Sequence, residues 1–484
     1  MKKQTTILKL ILMAFLVFPI LGCGKKELES VTVPDPQVEQ TPTVSEAAPQ
    51  ITEPETEEIP EDPIDSEEEP ETAYPYWWEL PDHNASQEVL APDGPIKNLT
   101  IQPGNQPNEL YITWFSQSSS KGKVTFKTEG LFSSISAHAK TEPSISVPNY
   151  YRNSALIQGL ESNTSYTYHV SNGTHRSPDY TYNTGELNAA DFTFTIAGDP
   201  EIGLGEPEEL PGQRNVWRLA LNRMKDQIPE SSFLITTGDQ VAKADSAEHY
   251  DYFLDNSVLY STPLVPLVGN HDVGSGFFGD HFTLPNSSPL GTSQGRDGDY
   301  WFTRGNALFM VINTLTVMEK DIHEQFVAET IAANPDAKWR IIVSHYSPIT
   351  MVENYQGTRE DIRYTFAYME ELFDIDLFIS GHDHIYTRGY FLDIDGDPIL
   401  PEDEDEEELI KEYHNPEHAV YTIYNCATNS LLREPTEDYP WSMISVQNSV
   451  PQLSVANVTE NSFTITTFDA DSWTETDSFT IYKD

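Results

Sequence analysis

Five times between residues 192 and 384, a run of apolar, β-branched and aromatic residues stops at side chains able to bind a metal. The runs end in Gly198-Asp199, Gly238-Asp239, Gly269-Asn270-His271-Asp272, Ser344-His345 and Gly381-His382-Asp383-His384. Strands without polar alternation need cover on both faces, so this pattern predicts sheets buried beneath helices. Trp217, Leu221, Met224 and Ile228 recur at helical spacing and supply one covering helix, stopped by Pro229. In such folds ligands gather just beyond the carboxyl ends of strands, which is where these polar groups fall.

Each terminus alone has an ordinary reading as a Gly-Asp turn, an Asn-His loop or a histidine near a strand end. Together they form a mixed oxygen and nitrogen donor set suited to borderline and harder divalent ions, or to Fe(III). In this order, over residues 192–430, they resemble the motif run of calcineurin-like metallophosphoesterases, and with the preceding β segment they look most like a bacterial relative of purple acid phosphatases. The resemblance implies two metal ions, drawn from Fe, Zn, Mn or Mg. It makes Asp239 the bridge between them, Asp199 and His384 ligands of the first, and Asn270, His345 and His382 ligands of the second. It makes His271 the catalytic histidine, held beyond the metal shell to give a proton to the leaving oxygen. The ions would activate water and neutralise charge on the phosphoryl group.

Two positions depart from the pattern. Metallophosphoesterases commonly carry His two residues after the first Asp, where this chain has Asp199-Pro200-Glu201. Purple acid phosphatases carry Tyr three residues after the bridging Asp, where this chain has Ala242, so no charge-transfer tyrosine is expected. Glu201 is open to three readings: the replacement donor at the first ion, an outer contact, or a solvated acid. Asp272 is either an orienting group for the His271 loop or a solvated acid. Arg388, which follows the last motif, either meets phosphate or pairs with a nearby acid.

The expected architecture is α+β and multidomain. Residues 90–186 alternate in short strands rich in β-branched and aromatic residues, as in Leu110 to Phe115 and Ser165 to Val170, which spells a small β-sandwich. Leu160 followed by Tyr166 resembles the tyrosine corner of fibronectin type III domains. Residues 190–484 would then form a four-layer α/β/β/α metallophosphoesterase domain, completed by strands near 462–468 and 478–482 rather than by a separate module. Between them and the last motif lies an acidic excursion, 393–408. Gly396 and Pro398 stand at the wrong places for an EF-hand, so it is read as a solvated surface insert.

The amino terminus reads as an address. Met1-Lys2-Lys3 precedes an apolar stretch at 7–21 too short for a resident membrane helix. It ends in Leu21-Gly22-Cys23-Gly24, which resembles the lipobox of bacterial lipoproteins. That resemblance implies a leader at 1–22 and lipidation of Cys23, and therefore an exported protein anchored on the extracellular or periplasmic side. Lipidation would leave Cys426 without a disulfide partner. Residues 23–75 follow as a linker, in which 27–74 carry 16 acids, eight prolines and no Lys or Arg, a composition that opposes compaction. The whole chain has 28 basic and 77 acidic side chains, a net charge of −49, so stable nucleic-acid binding is not expected and membrane attachment must come from lipid. The expected activity is metal-dependent hydrolysis of phosphoric esters, foremost phosphomonoesters. An extracellular nucleotidase or phosphodiesterase and a non-catalytic surface binding protein are the alternatives; protein partners are not indicated.

Overall fold

The computed structural model describes residues 89–128, 134–292, 296–316, 320–352, 360–400, 409–428, 430–436 and 440–484. The expected leader, Cys23, the acidic linker and residues 401–408 of the acidic insert lie outside these residues.

The first nine strands are β1 (Ile96–Pro103), β2 (Glu109–Ser116), β3 (Gly122–Thr128), β4 (Ser134–His138), β5 (Lys140–Pro143), β6 (Tyr151–Gln158), β7 (Ser165–Asn172), β8 (His175–Arg176) and β9 (Tyr180–Asn183). They pair antiparallel in two sheets, β1-β2-β6-β5 and β4-β3-β7-β8, with β9 also on β7. The inward positions of both sheets, among them Ile112, Trp114, Val124, Phe126, Tyr168 and Val170, form one core. Trp114 satisfies its indole N–H on Asn172 Oδ1 at 2.7 Å, so its burial leaves no donor stranded. Tyr166 accepts from the backbone N of Glu161 at 3.0 Å, five residues upstream, which is the contact a tyrosine corner makes.

The remaining strands are β10 (Phe192–Ala197), β11 (Leu234–Thr236), β12 (Leu264–Val265), β13 (Tyr300–Arg304), β14 (Ala307–Ile312), β15 (Trp339–Ser344), β16 (Leu377–Ser380), β17 (Tyr386–Gly389), β18 (Glu412–His414), β19 (Val420–Ile423), β20 (Ser442–Val446), β21 (Gln452–Val458), β22 (Ser462–Asp469) and β23 (Glu475–Tyr482). They make two seven-stranded sheets, β12-β11-β10-β21-β22-β23-β18 and β13-β14-β15-β16-β19-β17-β20. In the first, β10, β11 and β12 run parallel, and the meander β21-β22-β23 joins antiparallel to β10. The terminal strands therefore complete this sheet. In the second, β14, β15, β16 and β19 run parallel.

Side-chain alternation along β14, β15 and β16 shows why there are four layers. Phe309, Val311, Ile341, Val343, Leu377 and Ile379 face the first sheet and share its core. Leu308, Met310, Ile342 and Phe378 face the other way and meet Phe326 and Val327 of helix Lys320–Ala333 and Ile362, Phe366 and Met369 of helix Glu360–Phe373. On the far side, helix Leu210–Gln227 starts with Pro in its first turn and buries Val216, Trp217, Ala220, Leu221 and Met224. It ends at Gln227, so Ile228, which the spacing counted as its last inward position, is instead the residue that caps it ahead of Pro229. Trp217 is fully buried, stacks on Phe253 and donates to Phe253 O at 2.9 Å. Replacing it with Ala would cost about 3–5 kcal/mol, the usual loss for a large buried aromatic.

The sandwich and these sheets lie in one compact unit. Tyr260, from the layered part, is buried in the sandwich core and accepts through its carbonyl from Tyr168 Oη at 2.6 Å. Lys97 reaches Asp251 at 2.7 Å. Among the described residues, no helix is long and apolar enough to cross a membrane.

Candidate metal centre

The parallel strands of both sheets deliver their carboxyl ends to one place. Asp199 follows β10, Asp239 follows β11, and Asn270 opens a short 3-10 turn, Asn270–Asp272, after β12. His345 follows β15, and His382 and His384 follow β16. Asp199, Glu201, Asp239, His345, His382 and His384 are all buried, whereas Asn270 and His271 are half-buried.

The backbone is strained where these side chains converge. Glu201, Asp239, His382 and His384 hold φ values of 41°, 43°, 73° and 54°, a region that costs a non-glycine residue about 1–3 kcal/mol. Such conformations persist only where the surroundings dictate them. Gly269 must lack a side chain because a Cβ there would collide with Asp239 Oδ1 and its backbone N. Gly381 is constrained likewise by Thr237 Oγ1 and both carboxylate oxygens of Asp199.

Three imidazoles are oriented in the same way. A carbonyl oxygen only accepts, so the ring nitrogen beside it carries the proton. His345 Nδ1 donates to Thr237 O at 2.8 Å, His384 Nδ1 to Leu431 O at 2.8 Å and His271 Nδ1 to Ala242 O at 3.0 Å. Each Nε2 is thereby turned toward carboxylates. His345 Nε2 lies 3.2 Å from Asp239 Oδ2 and 2.9 Å from Asn270 Oδ1, and His382 Nδ1 approaches it at 3.2 Å. His384 Nε2 is 3.6 Å from Glu201 Oε2 and 4.0 Å from Asp199 Oδ2. His271 Nε2 is 3.2 Å from Glu201 Oε1, while its backbone N donates to Asp239 Oδ1 at 2.8 Å. Backbone carbonyls that fix the protonated nitrogen and free the other are the outer contacts a metal-binding histidine uses.

Two groups of donors result, and each has the spacing of a metal site: Asp239, His345 and His382 in one, Glu201, Asp239 and His271 in the other. Asp239 is common to both, as a bridging carboxylate would be. Asp199 accepts from the backbone N of His382 at 2.6 Å, and its other oxygen is 3.3 Å from His345 Nδ1, so it borders the first group, while His384 Nε2 lies 4.0 Å from it. The donor set fits two cations on a further count. Glu201 Oε2 is buried and has no hydrogen-bond partner, an arrangement that is costly unless a positive ligand completes it.

The electrostatics of the protein groups alone point the same way. Burial raises the Glu201 carboxyl above its usual pKa against the pull of His384 and His271. Burial would lower His345, yet the charges and hydrogen bonds of Asp239 and Asp199 hold it well above the ordinary imidazole value. His384 is pushed up to about 10: burial opposes the shift, and Cys426, Glu201 and Asp199 overcome it. Imidazoles that hold protons to offset clustered carboxylates are placeholders a divalent cation can displace.

The structure narrows three open alternatives. Glu201 is 2% exposed, which removes the solvated reading. Asp272 is also buried, not solvated: its Oδ2 accepts from Gly269 N at 3.0 Å and Gln240 N at 3.3 Å, tying the His271 turn to the loop after β11. Arg388 is fully buried and spends its guanidinium on Asp477 at 2.9 and 3.2 Å, Ile410 O and Tyr413 Oη, so it pairs with an acid and does not face phosphate. His271 borders the second donor group through its Nε2, beside Glu201 and Asp239, as a proton donor next to the ligands also would. It is the one half-buried imidazole beside three buried ones, which leaves it on the open side of the centre.

Two neighbours escaped the sequence reading. Cys426 is buried with its thiol donating to Asp199 O at 3.0 Å, and Tyr346 packs its ring 4.6 Å from that of His382 and 5.2 Å from that of His345. Cys426 ends a sixth apolar run, through β19, of the kind that ends in ligands elsewhere. Tyr346 directly follows His345.

Residues 192–386 match the calcineurin-like phosphoesterase family, and residues 96–184 match the amino-terminal domain of purple acid phosphatases. Two uncharacterised proteins of Mycobacterium tuberculosis, from strains CDC 1551 / Oshkosh and H37Rv, are each 26% identical over 164 residues, covering 29% of this chain and 30% of the relative. The chain thus spans under a third of the length of the curated relatives it matches. The solved purple acid phosphatase of yellow lupin (Lupinus luteus) seeds superposes with a TM-score of 0.63 at 14% identity, covering 80% of this chain and 74% of that one. The structure of PhoD gives a TM-score of 0.54 at 12% identity, covering 83% and 92%. At such identities these two likenesses establish the fold: a purple-acid-phosphatase-like β domain followed by a calcineurin-like layered domain.

Proposed function

We propose that this chain hydrolyses phosphoric esters, foremost phosphomonoesters, with two metal ions. The observation that carries the reading is the sharing of Asp239 between two donor groups at the convergent strand ends. Asp239, His345, His382 and Asn270 would hold one ion; Asp239, Asp199, His384 and Glu201 would hold the other. Bound there, two ions supply Lewis-acid neutralisation of the phosphoryl group and activation of water. The chain's own part is to place the ester against that centre, keep bulk water from the buried ligands and move a proton. His271 suits the last task. Its Nδ1–H is fixed on Ala242 O, its Nε2 lies 3.2 Å from Glu201 Oε1 on a half-buried side chain, and burial, which would lower its pKa, is outweighed by Asp239 and Glu201, which raise it.

The address at the amino terminus completes the proposal. The basic start, short apolar stretch and Leu21-Gly22-Cys23-Gly24 support an exported, lipid-anchored protein of bacterial type whose acidic linker holds the enzyme away from the membrane. The Tyr166 contact supports a fibronectin type III kind for the sandwich.

The test is hydrolysis of a phosphomonoester, a phosphodiester and a nucleotide by chelated protein, replenished separately with Mn²⁺, Zn²⁺, Mg²⁺ or Fe ions. Metal-restored release of phosphate from the monoester is expected. Preference for the diester would move the reading to a phosphodiesterase. Folded, metal-loaded protein inert toward the whole panel would contradict the enzyme.

A further inference from the structure

The His271 turn is held at both ends, and one holding point belongs to the sandwich. From His271 the chain runs through Val273, Gly274, Ser275 and Gly276 into the short helix Phe277–His281. Gly274 and Gly276 adopt φ of 95° and 73°, so this connection has little stiffness of its own. On the metal side it is pinned by His271 Nδ1 on Ala242 O and by Ser275 Oγ on Ala244 O at 2.7 Å. On the other side the pin is Asp280.

Asp280 is 2% exposed, and one of its oxygens, Oδ2, accepts four hydrogen bonds from a single sandwich loop. The donors are Ser144 Oγ at 2.7 Å, Ser146 Oγ at 2.7 Å, Ser146 N at 3.0 Å and Ile145 N at 3.1 Å. Arg152, also of the sandwich and buried, donates to Asp280 O at 2.7 Å, Phe282 O at 3.0 Å and Thr283 Oγ1 at 2.8 Å. The next residue, His281, stacks on Tyr250 at 4.0 Å and leans on Phe115 of β2 at 4.9 Å. Seven hydrogen bonds from one domain thus converge on the segment that closes the His271 loop, and a buried carboxylate oxygen that accepts four of them is a rigid fixture.

We infer that the amino-terminal sandwich positions His271 for the reaction, with Asp280 as the positioning residue through which it acts. This rests on the proposed role of His271. Proton donors must be placed within a few tenths of an ångström, and a loop with two left-handed glycines holds such a position only when both ends are fixed.

The experiment is a double-mutant cycle on the full-length, metal-loaded enzyme. The perturbations are Asp280→Asn and, as a gentler version that keeps the carboxylate, Ser144→Ala with Ser146→Ala. Each is made in the wild-type and His271→Ala backgrounds, with metal content and melting temperature measured alongside. With metal retained and the fold intact, kcat should fall about 10–100-fold in the wild-type background, with KM changing less. In the His271→Ala background the same changes should cost nothing more. Equal losses in both backgrounds overturn the inference, because the anchor would then act on the fold at large, and so does an unchanged kcat in folded Ser144→Ala/Ser146→Ala enzyme. A His271→Ala enzyme with wild-type kcat removes the proton donor itself and marks the failure as that of the functional reading.

Discussion

Replacing Glu201 with Gln removes one charge at nearly constant shape, and metal-free and metal-loaded protein should answer it in opposite directions. Without metal, the Glu201 carboxylate is buried close to Asp239 and Asp199, with Oε2 unpartnered and its pKa raised by burial. A carboxyl with a raised folded pKa contributes stability below its unfolded value and loses it as pH rises through the folded one, so wherever the group is ionised it weighs on the fold. Metal-free Glu201→Gln should therefore unfold at a higher temperature than metal-free wild type. With metal the sign reverses. Losing a donor should weaken binding at least as much as losing an outer-shell partner does, about 10–100-fold. At a concentration of about 100 Kd for wild type, the ion stabilises by about 2.7 kcal/mol; the variant would keep about 1.4 kcal/mol after a tenfold loss and about 0.4 kcal/mol after a hundredfold one. Thermal unfolding of both proteins, chelated and then titrated with Mn²⁺, reads all four states. An equal metal-dependent gain in wild type and variant would refute Glu201 as the donor that stands in for the family's missing histidine.

Arg388→Met should destabilise by about 3–5 kcal/mol, because it leaves Asp477 buried and unpaired, while KM for a phosphomonoester stays unchanged; a raised KM in folded protein would restore Arg388 as a substrate contact. The pair replacement Arg388→Met with Asp477→Leu should recover most of that stability in a denaturant titration. Gly269→Ala should abolish metal binding in chain that still folds, since its Cβ would collide with Asp239 Oδ1, and normal metal content by elemental analysis would refute that crowding. Metal uptake should release protons and tighten as pH rises, because His384 keeps its proton up to about 10 until a cation displaces it. In the metal-free protein the same group stabilises fully below its ordinary value of 6.5 and loses that contribution as pH climbs through about 10. Calorimetry in buffers of different ionisation enthalpy reads the protons, and none released would contradict the placeholder role.

The strand-end pattern was readable because each apolar run meets its polar terminus within a few residues, and both layers of ligands follow from that local rule. The same rule applied to β19 would have drawn attention to Cys426, but a thiol beside Asn425 looks like core, and only the approach of Asp199 and His384 from other strands makes it part of the centre. Non-local contacts account for the other gaps. Whether Glu201 and Asp272 are buried depends on His384, His271, Gly269 and Gln240, which arrive from separate turns, so spacing in the chain left both open. Arg388 lies four residues past His384, yet its strand, β17, turns the side chain toward Asp477 of β23, a partner almost ninety residues away. Pairing of β21 with β10 joins segments more than 250 residues apart, and no periodicity announces it.

The central claim is that two ions share Asp239 and are needed for phosphoester hydrolysis. The most direct measurement returns metal stepwise to chelated protein while following both bound metal and phosphate release from a phosphomonoester. Turnover should rise from none to a plateau at about two equivalents per chain, and Asp239→Asn, which loses the shared donor, should neither retain a stoichiometric pair nor turn over. Full activity in the chelated protein, a plateau at about one equivalent, or an active Asp239→Asn enzyme would contradict the account.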